Sequence, residues 1–200
     1  MLSIVIALPV GVLSATKRGS VYDQGGMVFA LFGQAMPVFW LGLMLILVFG
    51  VFLRWVPVSG RGGLDQLILP SITLATYSLA RNTRVIRSSM LEVLGQDYVR
   101  TARAKGLAEQ LVIYLHALRN ALIPVVTIVG LEFGHLLGGA VIVETIFAWP
   151  GIGRLMIQAV YTKDFPLVQA SVTIAALSFV SLNFFVDFIY SYLDPRVRLK

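Results

Sequence analysis

Long apolar runs alternate with short polar segments along this chain, and their lengths predict a helical membrane protein. Bridging the hydrocarbon core of a bilayer takes about 20 mostly apolar residues in a helix. Four runs reach or approach that length: residues 27–53, 67–80, 121–147 and 167–193. A fifth, residues 1–16, reads as a span that is cut short or begins abruptly. It lacks the basic leader and small-residue cleavage site of a signal peptide, and Lys17 and Arg18 close its far end. The run 67–80 is short before Arg81 intervenes, and gains length if Arg81 and Arg84 extend their charged heads to the interface. Pro9, Pro37, Pro70 and Pro124 lie within or at the edge of apolar runs, so kinks are expected there. Gly130, Gly134 and the Gly138–Gly139–Ala140 triplet give a small-residue face suited to close helix packing.

Composition agrees. Hydrophobic residues make up 58% of the chain, charged residues 13%, and the mean hydropathy is +0.84. Soluble domains are about half apolar and about a quarter charged. The chain has no cysteine, which removes disulfides, thiol catalysis, Cys-ligated zinc and iron–sulfur clusters together. A net charge of +6 would suggest nucleic acid in a soluble protein. Here it reads as basic residues flanking membrane spans, and no nucleic-acid partner is expected. His116 has no second histidine spaced for a metal site, so no metal is expected. No internal repeat or soluble domain stands out.

Loop charge sets the orientation. With five spans, segments 17–26, 81–119 and 194–200 share one side and carry 12 of the 16 basic residues. The other side holds Arg54, Arg61, Arg154 and Lys163. Basic residues collect on the cytoplasmic side, which puts segment 81–119 and the C-terminus in the cytoplasm. A four-span arrangement without 67–80 gives the same balance, because Arg54 and Arg61 exchange sides with Lys17 and Arg18. The five-span arrangement starts outside at Met1, as would a chain lacking an earlier cytoplasm-to-outside span.

Segment 81–119 carries seven basic and three acidic residues between greasy runs. A solvated loop is one reading. Against it, Arg84, Arg87 and Leu91 alternate with Val85, Ile86, Met90 and Val93 at helical spacing. Asp97 is a good N-cap, residues 98–105 form a short helix, and Gly106 suits the left-handed position that ends it. Thr101, Ala104 and Ala108 make a small-residue stripe on that helix, with Arg100 and Arg103 beside it. Small side chains let a partner's backbone approach, and arginines can find carboxylates at the rim of a groove. The residues alone therefore predict a docking helix.

The same residues carry a resemblance. "ARAKGL" at 102–107, preceded by "GQDYVRTA" and followed by "HALRNALIPV", resembles the cytoplasmic coupling loop of ABC-transporter permeases. The pattern there is an EAA triplet, three residues and a glycine; Arg100, Thr101, Ala102 and Gly106 occupy it here. The Arg-Thr-Ala version resembles the dipeptide/oligopeptide importers, and "GQAMPVFWLGLMLI", "VETIFAWPGIGRL" and "DPRVR" agree. Two departures stand: Arg100 replaces the glutamate of the triplet, and the downstream I-x-L-P falls on His116-Ala117-Leu118-Arg119.

The resemblance covers essentially the whole chain and implies an all-α type I ABC importer transmembrane domain over residues 1–200. It implies five spans of a six-span family pattern, with 81–119 as its cytoplasmic coupling segment. It further implies a bacterial inner-membrane, multi-pass permease for dipeptides, oligopeptides or a related small solute. A second permease subunit in a heterodimer, two ATP-binding subunits and an extracytoplasmic substrate-binding protein would be its partners. No cofactor is expected on this chain, which is not expected to be an enzyme: it has no G-x-x-x-x-G-K-[ST] loop, so ATP would be bound by the partner. Tyr98, Arg100, Thr101, Ala102, Arg103, Ala104, Lys105, Gly106 and Leu107 would form the ATPase contact. Trp149, Pro150, Gly151 and Gly153 would lie in an external loop beneath the binding protein.

Ionisable residues inside spans need a reason, because burying them is costly. Glu132 and His135 read as candidates for the translocation path, where Glu132 could meet a peptide's amino group; an inter-helix hydrogen bond is the alternative. Asp187 reads as a partner for Arg81 or Arg84. Two other functions compete: an ion-coupled secondary transporter using Glu132 and Asp187, and a membrane enzyme. The latter lacks any His-Glu-x-x-His, Gly-x-Ser-x-Gly or paired-Asp motif.

Overall fold

The computed structural model describes residues 2–58 and 62–193, and the side chains of all of these except 131, 133–135, 137, 186–187 and 189–193. Every regular element among them is helical. In order these are α1 (Leu2–Thr16), α2 (Val21–Ala35) and α3 (Val38–Leu45), which continues in wider π-turns over Ile46–Phe52. A 3₁₀ turn, Leu64–Leu67, leads into α4 (Ile68–Leu94), followed by α5 (Asp97–Ala104). The short α6 (Glu109–Leu111) passes through π-turns at Val112–Leu118 into α7 (Arg119–Ile146). Last come α8 (Ile152–Tyr161) and α9 (Phe165–Leu193).

Among the described residues two helices are long and apolar enough to cross a membrane, Glu109–Gly130 and Phe165–Phe185. The second falls on the expected run 167–193, whereas the first begins twelve residues before the expected run 121–147. The expected single span over 27–53 is instead broken. α2 starts at Val21 and stops at Ala35, and α3 restarts at Val38. Pro37 is the cause: it disfavours helical geometry at the residue before it, and its own extended backbone (ψ 135°) caps α3. The two pieces together still have the length and apolarity of one span. The run 67–80 lies in one helix, α4, that continues without a break past Arg81, Arg84 and Arg87, and α4 is not among the helices long and apolar enough to cross a membrane. Pro70 causes no kink there, since it sits in the first turn where its missing donor has no partner to lose. Pro9 and Pro124 lie inside helices that continue past them. The small-residue face on α7 does not seat a neighbouring backbone at Gly138, which faces open space, while Gly139 meets only the Leu74 side chain at 3.6 Å.

The chain forms two compact units. The first comprises Met1–Ala35 and Thr76–Val129; the second comprises Met36–Ala75 and Gly130–Lys200. In the first, α1 packs on the later part of α4 and the start of α7 through Ala7, Val12, Ile86, Met90, Ala117 and Ala121, all buried. Gly11 makes this approach feasible: a Cβ there would lie 2.7 Å from Ile86 and 3.0 Å from the Thr83 carbonyl. In the second unit Leu69, Val143 and Phe147 form the core, with Val38, Phe49 and Ile146 around them. α9 exposes Val172, Leu177, Val180, Phe184 and Phe185, an apolar surface that lipid can cover.

A buried ion pair joins α2 to α4 in the first unit. Arg87 on α4 donates two hydrogen bonds to Asp23 on α2, at 2.6 and 2.8 Å, and Asp23 also accepts the Gly19 N–H at 2.9 Å. The Asp23 side chain is only 6% exposed. A fork-on-carboxylate pair of this kind satisfies both charges where water is scarce. Nearby, Arg84 donates to Gln34 at 2.5 Å. The suggested Asp187 partner lies outside the described side chains. Asp23→Ala would leave the Arg87 charge unmatched and should cost about 3–5 kcal/mol of stability. The paired change Asp23→Leu/Arg87→Met should cost much less, and thermal unfolding of the purified protein in detergent compares the two.

Candidate functional site

The segment between α4 and α6 is a helix held between two tight turns. α4 ends as the N–H groups of Gly95 and Gln96 fold back on Glu92 and Val93. Gln96 then adopts extended backbone and is the true N-cap of α5, without a side-chain cap bond. Asp97 was expected in that position; it is the first helical residue instead, because the turn leaving α4 brings the chain into helical geometry one residue sooner. Its exposed carboxylate still complements the positive end of the helix and lies 3.6 Å from Arg100.

α5 closes with a Schellman turn. The Gly106 N–H donates to the Arg103 carbonyl at 2.9 Å, and the Leu107 N–H to the Ala102 carbonyl at 3.4 Å. Gly106 has φ +79°, the left-handed value expected of it, and a Cβ there would meet nothing within 4 Å. The demand for glycine is therefore conformational, not steric. An ordinary L-residue pays about 1–2 kcal/mol for that geometry, and a β-branched one more.

The faces of α5 differ from those expected. Val99 and Ala102 point inward and are buried with Val112, flanked by Val93 and Leu94. Arg100, Thr101, Ala104, Lys105 and Leu107 are exposed. Ala108 lies beyond the helix with extended backbone (ψ 137°), so no continuous Thr101–Ala104–Ala108 stripe exists. Thr101 bonds its own helix, through Oγ1 to the Asp97 carbonyl. Arg103 already has a carboxylate: its guanidinium donates to both oxygens of Glu109, at 3.1 and 2.7 Å. At the other end of α5, Asn120 donates to the Tyr98 hydroxyl at 3.0 Å and to the His116 carbonyl at 2.9 Å.

A second turn, in the other unit, joins α7 to α8 and contains Trp149, Pro150, Gly151 and Gly153. Here the two helix ends cap each other. Glu144, in the last turn of α7, accepts the Arg154 N–H at 3.0 Å, satisfying a free donor at the start of α8. In return the Arg154 guanidinium donates to the Ala148 carbonyl just past the end of α7. Gly151 and Gly153 make room for this exchange. A Cβ on Gly151 would strike the Glu144 carboxylate, and one on Gly153 would lie 2.7 Å from the Val141 Cα. The G-x-G here is thus turn architecture.

Glu132 is buried, with 3% of its surface exposed. His135 lies on the same helix, with its side chain outside those described. Among the described residues no group of His, Asp or Glu is arranged to hold a metal ion.

Comparison with known proteins gives the class. The profile of the "Binding-protein-dependent transport system inner membrane component" family matches residues 7–199, and the chain belongs to that family. It is 44% identical over 226 residues to the "Dipeptide transport system permease protein DppB" of Escherichia coli (strain K12), covering 98% of this chain and 67% of that protein. The "Di/tripeptide transport system permease protein DppB" of Pseudomonas aeruginosa (strain UCBPP-PA14) is 47% identical over 216 residues, covering 94% and 64%. The "Glutathione transport system permease protein GsiC" of Pectobacterium atrosepticum is 44% identical over 198 residues, covering 99% and 65%. The chain spans about two thirds of the length of the curated relatives it matches. A solved structure, "Crystal structure of an amino acid ABC transporter with histidines", shares the fold with a TM-score of 0.68 at 16% identity, over 96% of this chain and 87% of that one. The fold is that of a type I ABC importer transmembrane domain, and the chain is a transport permease component of the inner membrane, not an enzyme.

Gly153→Ala forces a methyl group against backbone that has no side chain to turn aside. It should destabilise the α7–α8 turn by about 1–3 kcal/mol. The amount of protein retained in the membrane after mild heating reads this loss, and Ile152→Ala at the exposed neighbouring position should retain nearly all of it.

Proposed function

We propose that this chain is the permease through which an ATP-driven importer passes small peptides, and that α5 with its Gly106 turn takes the stroke from a separate ATP-binding subunit. The observation that carries the coupling role is the geometry of residues 97–107. A short helix presents Arg100, Thr101, Ala104, Lys105 and Leu107 outward, its other face is anchored on Val112, and its end is fixed by one left-handed glycine. Such a helix suits a cleft on a partner and leads directly into the helix that starts at Glu109. The family description, a component of binding-protein-dependent systems, supports a partner outside the membrane that delivers substrate.

In this reading a second permease subunit completes a heterodimer, two ATP-binding subunits sit on the cytoplasmic side, and the C-terminus is cytoplasmic. The relatives named for dipeptides and for glutathione support a peptide-like substrate with both an amino and a carboxylate group. Their equal identity to this chain means overall similarity does not choose between them. Glu132 is the candidate contact for the substrate's amino group, with His135 beside it on α7. The turn holding Trp149 and Pro150 faces the binding protein.

Reconstitution with the ATP-binding subunits and binding protein tests the whole reading. Dipeptide uptake should require ATP and stop with vanadate; uptake that follows an imposed proton gradient without ATP would sink it. Gly106→Val should abolish uptake while the protein still inserts, because valine resists the left-handed backbone. Gly106→Asn should keep most of it, since asparagine tolerates that geometry and the space is open. Full uptake by the valine variant would end the coupling role.

A further inference from the structure

The two polar links at the ends of α5 are both made within this chain, Tyr98 with Asn120 and Arg103 with Glu109. From them we infer that Tyr98 and Arg103 are positioning residues that lock α5 onto the helix beginning at Glu109, so that the two move as one body. The inference rests on the coupling role proposed for α5, and adds which helix of this chain receives the motion and which arginine is withheld from the partner.

The geometry of the lock is specific. Tyr98, at the start of α5, reaches Asn120, whereas Arg103, at its end, reaches Glu109. α5 therefore lies antiparallel to the first part of the following helix. Asn120 and Glu109 are on the order of 15 Å apart along that helix, at about 1.5 Å per residue. Between these two points Val99 and Ala102 are buried against Val112. The apolar contact resists separation but leaves rotation about the α5 axis free, because dispersion and burial are not directional. Two hydrogen-bonded ends remove that rotation. The Arg103 fork, with both carboxylate oxygens engaged, fixes an orientation that a single bond would not.

The links to α4 are of another kind. α4 leaves through the Gly95–Gln96 turn and offers α5 the apolar side chains of Val93 and Leu94. A push on α5 is thus transmitted to the helix beginning at Glu109, and the Gly95–Gln96 turn takes up the change of angle. Arg103 serves the lock, and Arg100, exposed on the outer face, is the arginine left for the partner.

A charge exchange in the complete reconstituted transporter tests this. Arg103→Glu and Glu109→Arg should each lower peptide uptake about tenfold, the size expected when one member of a coupled pair is lost. The double exchange Arg103→Glu/Glu109→Arg should restore most of it. If the double variant is as inactive as Arg103→Glu alone, Arg103 faces the ATP-binding subunit and the lock is wrong; wild-type uptake by Arg103→Glu overturns it equally.

A second measurement does not depend on activity. The chain has no cysteine, so spin labels can be placed at Asp97→Cys with Tyr114→Cys, and at Asp97→Cys with Ser88→Cys. The 97–114 separation should stay constant between nucleotide-free and vanadate-trapped complexes, and the 97–88 separation should change. A 97–114 change larger than the 97–88 change overturns the inference. Should Gly106→Val transport normally while 97–114 stays fixed, the coupling role fails and the lock survives; the reverse pair of results separates them the other way.

Discussion

Backbone polar groups in an apolar solvent must be satisfied within the protein, and for a helical chain that constraint is sharpest where helices end. Three of the described ends solve it the same way. After α5, α7 and α8 the chain takes one left-handed residue, Gly106, Ala148 or Lys163, and folds two N–H groups back on the last free carbonyls. Each turn then starts the next helix almost at once. Asp164 goes further: its N–H closes the turn on the Ala159 carbonyl, and its carboxylate accepts the Leu167 N–H at the start of α9. These connections are therefore short, with defined geometry. Their lengths and angles are set by these backbone hydrogen bonds.

That constraint explains what could be read in the sequence. The turn at Gly106 was legible, because glycine is the residue that adopts left-handed backbone freely. The same turns at Ala148 and Lys163 gave no signal, since alanine and lysine carry no mark of the strain they accept. The break at Pro37 was expected as a kink and is a full stop, because proline acts on Met36 as well as on itself. The length of the apolar run gave α9, and periodicity gave the helical spacing over residues 84–93 in α4. It did not give the inward face of α5, where Val99 and Ala102 are too few to define a period and Thr101, Ala104 and Ala108 looked like a better stripe.

Pairs far apart in sequence were beyond reach. Asp23 and Arg87 are 64 residues apart, and nothing in either neighbourhood names the other. Arg103 and Glu109 are closer, but the glycine turn between them destroys the helical register in which three- and four-residue spacings are meaningful. Tyr98 and Asn120 are 22 residues apart, and nothing near either one names the hydrogen bond that Asn120 donates to the Tyr98 hydroxyl.

The turns after α5 and α7 meet one constraint with opposite chemistry, and the difference sets how each responds to displacement. At the α7–α8 turn, Glu144 and Arg154 cap each other's helices in a space where a methyl on Gly153 would strike the Val141 backbone and one on Gly151 would displace the Glu144 carboxylate. Any change of angle there breaks both caps and collides with Val141, so the turn transmits motion without hinging. Around α5, by contrast, Gly106 stands in open space, and the polar ties are made by long side chains at its ends. Side chains of that length can hold orientation while tolerating small displacements. A helix held in that manner can settle into a partner's cleft and still pass on the direction of a push. Stiffness at one turn and tethered seating at the other follow from local packing alone.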